Sequence, residues 1–301
     1  MPRCEHDEPC YAALTWREPI RDAQGFQDYL STFVRSDPRN RLPEGRGIPI
    51  FDLPVAAVAA ASDPLFEQLR KEDVVGPIHA SPEYWLAGAR SVISYFLPFS
   101  KEIKQAYSIN TRLPPLEWVS GRLNGEIFNH VLRRALVIML RRQGGRVVAP
   151  GLDPRYKAVN WLPMWSERHV GFIAGLGSFG LHGGLLTEKG TAGRIGSVIT
   201  DLVFPPSERA YTEVYAYCPW KQERRCGVCI NRCPVGAISK EVKNHSICIA
   251  NGAEFIRPAF KDWGYHGCGH CQCNLPCSDH LPGRNGPAVG AVKGRKQGNG
   301  A

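Results

Sequence analysis

The chain has 301 residues, of which 43% are hydrophobic, and its formal net charge is +9 at pH 7. This length suits one large domain or two smaller ones with a sizeable core. The polar N-terminus has no apolar signal segment and no run approaches the roughly 18 apolar residues of a membrane helix, so we expect a cytoplasmic protein. The positive charge allows an anionic partner such as nucleic acid or an acidic ferredoxin, and it equally suits ordinary solubility.

Both ends of the chain are irregular in pattern. Residues 1–20 predict a flexible arm, although Cys4, His6 and Cys10 are spaced as metal ligands could be. Residues 282–301 are rich in Gly, Lys and Arg, which predicts a disordered basic tail.

Helices and strands alternate between these ends up to about residue 210, which indicates an α/β layered domain. The apolar stripe of the longest helix leaves its arginines on a solvated face: Arg133, Arg134, Arg141 and Arg142. In chain order the predicted elements are a helix from Ser62 to about Lys71, a buried strand over Ala89–Phe99, the long helix Gly125–Arg142, and strands over Arg146–Pro150 and Arg194–Phe204.

A glycine-rich stretch precedes the last of these strands. Gly175-x-Gly177-x-x-Gly180 formally matches the dinucleotide fingerprint, but no clear strand precedes it and no long helix follows it, which disfavours a Rossmann fold. Exposed backbone amides here could bind a phosphate or a corrin side chain. Alternatively, the glycines could form a tight turn packed under the cysteine groups that follow.

Nine of the eleven cysteines lie between Cys218 and Cys277. Cys-x2-Cys turns and a Cys-x3-Cys-Pro run are typical of [4Fe-4S] ligands, and we expect the proline to begin a helix. The nine are Cys218, Cys226, Cys229, Cys233, Cys248, Cys268, Cys271, Cys273 and Cys277.

Two four-cysteine clusters would use eight of the nine thiols. In two-cluster ferredoxins the cysteine before proline binds the other cluster, so Cys233 is assigned to a second cluster with three of Cys248, Cys268, Cys271 and Cys273. The first cluster takes Cys218, Cys226 and Cys229. Its fourth ligand is Cys277 in the favoured interpretation, but the choice between Cys273 and Cys277 stays open.

Structural zinc and disulfides are the alternatives to iron–sulfur clusters. Cys-x2-Cys pairs suit zinc, but zinc sites do not require Cys-x3-Cys-Pro or nine cysteines in about sixty residues. Disulfides need an oxidising compartment, which the N-terminus does not indicate. The spacing therefore favours a protein that moves electrons.

The glycine and cysteine patterns together resemble those of epoxyqueuosine reductases and respiratory reductive dehalogenases. The likeness covers roughly residues 80–280. It is carried by the segments Trp85–Ser94, Arg168–Gly180, Leu185–Thr187, Gly196–Thr200, Cys226–Ile238, the isolated Cys248 and Gly267–Gln272.

This resemblance implies a nitroreductase-like α/β domain joined to a ferredoxin-like domain with two [4Fe-4S] clusters, with base-off cobalamin held between them. An external donor such as a ferredoxin or flavodoxin would supply electrons, and the corrinoid would perform reductive chemistry on a small-molecule substrate or serve a corrinoid protein. By match, the corrinoid pocket would be lined by Gly175, Gly177, Gly180, Gly196 and Ser197, with Thr187 and Thr200 as further candidates.

The chain departs from the family where a proton donor is expected. Epoxyqueuosine reductases carry Gly-Arg-Asp-Tyr-His, and the aspartate position here is Leu123, which disfavours tRNA modification. Glu126 could act as the acid instead, or could simply be a first-turn helix residue. Further candidate donors are His169, His182, His266, His270, Tyr107 and Tyr156.

The predicted organisation is therefore an arm (1–20), a nitroreductase-like corrinoid-binding domain (21–210), a double-cluster ferredoxin-like domain (211–281) and a tail (282–301). The alternatives are an electron-transfer or corrinoid-reactivating protein without its own cobalamin, and tRNA modification. No membrane contact is expected.

Overall fold

A computed structural model of the protein describes residues 16–43, 47–108, 112–265 and 267–282. Cys4, His6, Cys10, His266 and most of the predicted tail lie outside these ranges. No helix in the described residues is long and apolar enough to cross a bilayer.

A four-stranded antiparallel sheet is the centre of the fold. Its strands are β1 (Val55–Ala60), β2 (Ser91–Pro98), β3 (Val147–Val148) and β8 (Gly193–Thr200), in the order β1-β2-β8-β3. Every residue of β2 is buried, because helices cover both faces of the sheet. Two small hairpins complete the strands: β4 (Ala158–Val159) with β5 (Leu162–Pro163), and β6 (Gly177–Phe179) with β7 (Leu185–Thr187).

Alternate residues of β2 build two separate cores. Ile93, Tyr95 and Leu97 face α1 (Ala23–Ser36) and α5 (Leu116–Arg142). On the opposite face Val92 and Phe96 pack towards α6 (Glu167–Ala174). This alternation is the two-residue period of a strand covered on both sides, and it gives a mixed α/β layered arrangement.

The remaining helices are short. Before α5 lie α2 (Leu65–Gln68), α3 (Pro82–Trp85) and α4 (Lys101–Gln105). After β8 come α7 (Pro219–Glu223), α8 (Val228–Arg232), α9 (His245–Asn251) and α10 (Arg257–Ala259), with a π-helical turn, Gly252–Ile256, before α10. The segments after β8 share the first core, which contains Ile256, Phe260, Tyr265 and Cys273 as well as the sheet and α5.

Three of the four sheet strands lie where the sequence predicts them, whereas β1 was not predicted and the helix boundaries differ. The helix expected from Ser62 to Lys71 is the single turn α2, because the chain turns back so that the Leu69 carbonyl accepts hydrogen bonds from Val75 and Gly76. Helix α5 begins nine residues before the predicted start at Gly125.

Two glycines inside α5 explain that error. A Cβ on Gly121 would lie 2.7 Å from Ile103 Cδ1, and one on Gly125 would lie 2.8 Å from Phe51 Cζ. These glycines therefore allow close packing and do not mark the end of a helix. Because α5 begins at Leu116, Glu126 lies in its interior, so the expected first-turn position of Glu126 is wrong.

Candidate iron–sulfur centre and its surroundings

The nine cysteines after β8 are free thiols, and eight of them line two separate clefts. Each cleft receives four. The first is lined by Cys218, Cys226, Cys229 and Cys277, and the second by Cys233, Cys248, Cys268 and Cys271.

Tight backbone turns place the first set. Cys218 caps α7 with Pro219 at the first helical position, and Cys226 and Gly227 both take positive φ before α8 begins. Burial raises the pKa of Cys226, and the backbone N–H groups of Val228 and Gly227 partly offset this effect. Backbone amides near a sulfur favour its thiolate form, as they do around metal-bound cysteines.

The second set is gathered from three distant segments. Cys233 follows α8, Cys248 lies in α9, and Cys268 and Cys271 flank Gly269, whose φ is +89°. Pro234 begins a turn and not the predicted helix, and this turn lets the Ala237 N–H donate to Cys233 Sγ over 3.2 Å. Cys233 therefore lies in a different cleft from its sequence neighbour Cys229.

The ninth thiol belongs to neither cleft. Cys273 is fully buried in the core shared with α5 and the sheet. Cys277 instead lies among the first set, close enough to Cys229, Cys226 and Cys218 for their charges to affect its pKa. The structure thus separates the two cysteines that the sequence left as alternatives.

Burial and mutual proximity set the chemistry of these thiols. Burial, reinforced by the neighbouring thiols, raises the pKa of Cys229 and of Cys268 to about 12. Such sulfurs become thiolates only when a positive charge compensates them, which a bound cluster supplies. In the described residues, no three or more Cys, His, Asp or Glu side chains are grouped to hold a single metal ion.

The two clefts differ in size and lining. The second has a volume of about 160 Å³ and also contacts Trp118, Arg122, Tyr265 and Asn251. The first has only about 20 Å³, because Leu181, Leu186 and Leu275 close around its thiols. Each cleft is nevertheless lined by four thiols, which is the number of ligands of a [4Fe-4S] cluster, and none of the eight forms a disulfide.

The sequence patterns did not identify Trp118 and Arg122 as site residues. They lie four residues apart on α5, and this i,i+4 spacing places them on one helix face. The signal was hidden because the predicted helix began after both of them.

The seven residues matched to a corrinoid pocket lie in two places. Gly175, Gly177, Gly180 and Thr187 surround the β6–β7 hairpin, and Gly196, Ser197 and Thr200 lie along β8. All except Gly175 are buried.

Other groups of the protein pack against or bond to the residues matched to the corrinoid pocket. A Cβ on Gly177 would lie 2.0 Å from the Leu186 carbonyl oxygen, and one on Gly196 would lie 2.3 Å from the Tyr95 hydroxyl. Thr187 Oγ1 donates to the Gly190 carbonyl, and Thr200 Oγ1 donates to that of Arg146. All of these residues except Gly175 pack the protein interior, and their assignment to a corrinoid pocket stays a prediction.

Glu126 belongs to an ion-pair network between α5, α6 and β8. Its carboxylate lies 3.2 Å from Arg133, 3.2 Å from Arg194 and 3.3 Å from His130. Burial alone would raise the Glu126 pKa, but the His130 hydrogen bond and the two guanidinium groups outweigh it and hold the pKa well below its usual range. A carboxylate kept ionised in this way has no proton to donate at neutral pH.

Arg133 connects this network to β8. Its side chain is only 5% exposed and also pairs with Glu167 at 3.2 Å, so the prediction that Arg133 lies on a solvated face is wrong. Glu167 accepts a 2.6 Å hydrogen bond from the Ser197 hydroxyl, which in turn accepts one from Trp165 Nε1. Ser197 thus has its hydrogen-bonding capacity satisfied inside the protein.

The other proposed proton donors lie in different settings. Tyr107 is fully buried and donates its hydroxyl proton to the Cys268 carbonyl. His169 Nδ1 pairs with Ser166 Oγ at 2.7 Å. Tyr156 remains 37% exposed, and burial raises its pKa, so it stays protonated at neutral pH.

No family model matches the sequence, and no curated protein matches it. Among solved structures, the catabolic reductive dehalogenase NpRdhA aligns with 86% of this chain and 37% of its own, at a TM-score of 0.51 and 15% identity. An epoxyqueuosine reductase from Bacillus subtilis aligns with 79% of this chain and 64% of its own, at a TM-score of 0.47 and 17% identity.

A third structure is a reductive dehalogenase described in connection with B12-dependent dehalogenation. It aligns with 83% of this chain and 36% of its own, at a TM-score of 0.48 and 15% identity. The chain therefore spans less than two thirds of the length of these proteins.

The likeness to NpRdhA shows that this chain has a reductive dehalogenase-type fold over most of its length. The family resemblance drawn from the glycine and cysteine patterns is thereby confirmed at the level of the fold. A fold alone does not define a reaction, so the function has to be inferred from the residues of the site.

Proposed function

We propose that this protein is an iron–sulfur oxidoreductase that passes electrons through two [4Fe-4S] clusters to a base-off cobalamin, for reductive chemistry on a substrate still to be identified. Residues 21–210 would form a nitroreductase-like corrinoid-binding domain, and residues 211–281 a ferredoxin-like cluster domain. The observation that carries the proposal is the division of eight thiols into two four-thiol clefts.

The protein's residues would assemble and shield the clusters. Each set of four thiols would supply the ligands, and backbone amides such as that of Ala237, which donates to Cys233, stabilise sulfur charge. Leu181, Leu186 and Leu275 exclude water from the first cleft. Bound clusters supply one-electron transfer at low potential.

The corrinoid part of the proposal is supported by the sequence resemblance and the shared fold. Six of the seven residues matched to the pocket are buried, so we assign these residues no step in the reaction. The same burial favours a second candidate: an electron-transfer or corrinoid-reactivating protein without its own cobalamin. In either case an external donor such as a ferredoxin or flavodoxin would reduce the first cluster.

An anaerobic EPR titration of reconstituted protein with cob(II)alamin tests both candidates. A base-off cobalt spectrum at about one cobalamin per chain would support the corrinoid enzyme, while free base-on cobalamin beside reducible [4Fe-4S] signals would leave the electron carrier. Protein that takes up zinc and gives no reducible iron signal would overturn both. A tRNA-binding assay at moderate salt tests the disfavoured tRNA reaction separately.

A further inference from the structure

One histidine lies against the thiols of the first cleft. His182 is 3% exposed and lines this cleft together with the four cysteines. Its Nε2 atom lies 3.8 Å from Cys277 Sγ, within hydrogen-bonding distance for a sulfur acceptor. An electron-transfer role for the cleft does not by itself explain the presence of this imidazole.

The other ring nitrogen fixes the position of the proton. The Gly184 N–H donates to His182 Nδ1 over 3.1 Å. A ring nitrogen that accepts a hydrogen bond carries no proton, so the neutral imidazole holds its proton on Nε2. That N–H group is the one nearest the Cys277 sulfur.

Two glycines make the space for this ring. A Cβ on Gly180 would lie 2.8 Å from His182 Nε2, and a Cβ on Gly184 would lie 2.6 Å from His182 Cε1. Both distances are shorter than a carbon atom tolerates, so any larger residue would displace the imidazole. The Gly-Leu-His-Gly-Gly segment (180–184) therefore holds the ring in one place.

We propose that His182 is a positioning residue that donates an N–H···S hydrogen bond from Nε2 to Cys277 and raises the reduction potential of the first cluster. The inference rests on the proposed function, since it requires a cluster bound by Cys277. Reduction adds negative charge to the cluster and its thiolates, so a donor to sulfur stabilises the reduced form more than the oxidised form.

Redox titration of the reconstituted protein, followed by EPR, tests the proposal. His182→Phe keeps a planar ring but removes the donor. We expect it to shift the oxidised-to-reduced equilibrium of one cluster about tenfold towards the oxidised form, a potential about 59 mV lower. His182→Gln retains a side-chain N–H and should recover most of the shift. The control His169→Phe changes a partly buried histidine bonded to Ser166, and both potentials should stay as in the wild type.

A second readout is independent of the potential. In the reduced wild-type protein, electron–nuclear double resonance should show an exchangeable proton coupled to one cluster, lost in D2O and in His182→Phe. Gly184→Ala should weaken this coupling by moving the ring without removing it.

Two outcomes separate the inference from the proposed function. Wild-type protein without [4Fe-4S] signals would remove the proposed function and the inference with it. Assembled clusters whose potentials and proton coupling are unchanged in His182→Phe would overturn the role of His182 alone.

Discussion

Two regions of the molecule contain the residues singled out from the sequence. The regions differ in whether other groups of the protein bond to or pack against those residues. Around β8, the charges and glycines have partners: Glu126 and Glu167 pair with Arg133, and Gly196 is packed against Tyr95. After β8, eight thiols line two clefts without forming disulfides. Residues that the fold already satisfies are explained by stability, whereas four free thiols lining one cleft indicate a ligand.

Loss of one cluster is the largest effect that this comparison predicts. Cys277→Ser should lower the iron content of reconstituted protein from about eight to about four atoms per chain, because serine does not replace a thiolate ligand well. Cys273→Ser is the matched control, since Cys273 is a buried core residue. It should keep both clusters. Iron and sulfide analysis measures both variants, and equal losses would show that the clefts do not define the ligand sets.

The ion-pair network predicts the next largest effect. Arg133→Met should lower the free energy of unfolding by about 3–5 kcal/mol, because it leaves Glu167 and Glu126 without their buried partner. Arg70→Met removes an arginine of similar length from an exposed pair with Glu67, and its cost should stay below about 1 kcal/mol. Chemical denaturation of both variants checks this contrast. Similar values would mean that the network is solvated.

A buried histidine on the second core predicts a pH effect. Burial, reinforced by the charge of Arg70, lowers the His79 pKa to about 4 from its usual 6.5. The unfolded chain therefore binds a proton at His79 below pH 6.5, whereas the folded chain does not bind it until about pH 4. The free energy of unfolding therefore decreases as pH falls across that window.

His79→Gln removes this titration while keeping a side-chain acceptor for the Ser166 N–H, which His79 Nε2 accepts over 3.3 Å. Relative to the variant, the wild type should lose at most about 3 kcal/mol between pH 6.5 and 4. Unfolding curves of both proteins at several pH values measure the difference, and acid loss of clusters affects both alike. Parallel curves would show that His79 titrates normally.

The sequence predicted three of the four strands of the central sheet and the eight thiols of the two clefts, because apolar runs and cysteine spacing are local signals. It did not predict the partners of Arg133, since Glu167 lies 34 residues further along the chain and only the fold brings it close. The predicted start of α5 was wrong for the same reason, because the contacts of Gly121 with Ile103 and of Gly125 with Phe51 are tertiary. Which of Cys273 and Cys277 joins a cleft likewise depended on the folded chain.

The smallest predicted effect tests whether the glycines of the β6–β7 hairpin serve packing or cofactor binding. Gly177→Ala would place a Cβ 2.0 Å from the Leu186 carbonyl oxygen, a backbone atom that cannot move aside, and should cost about 1–3 kcal/mol of stability. Gly25→Ala in α1 would contact Ile20, whose nearest atom is a side-chain methyl 3.2 Å away, and it gains helix propensity, so stability should change by less than about 1 kcal/mol. Thermal unfolding compares the two variants, and cobalamin binding is measured on the same samples. If Gly177→Ala were as stable as the wild type but bound cobalamin less well, the glycines would serve the corrinoid and not the packing of the β6–β7 hairpin.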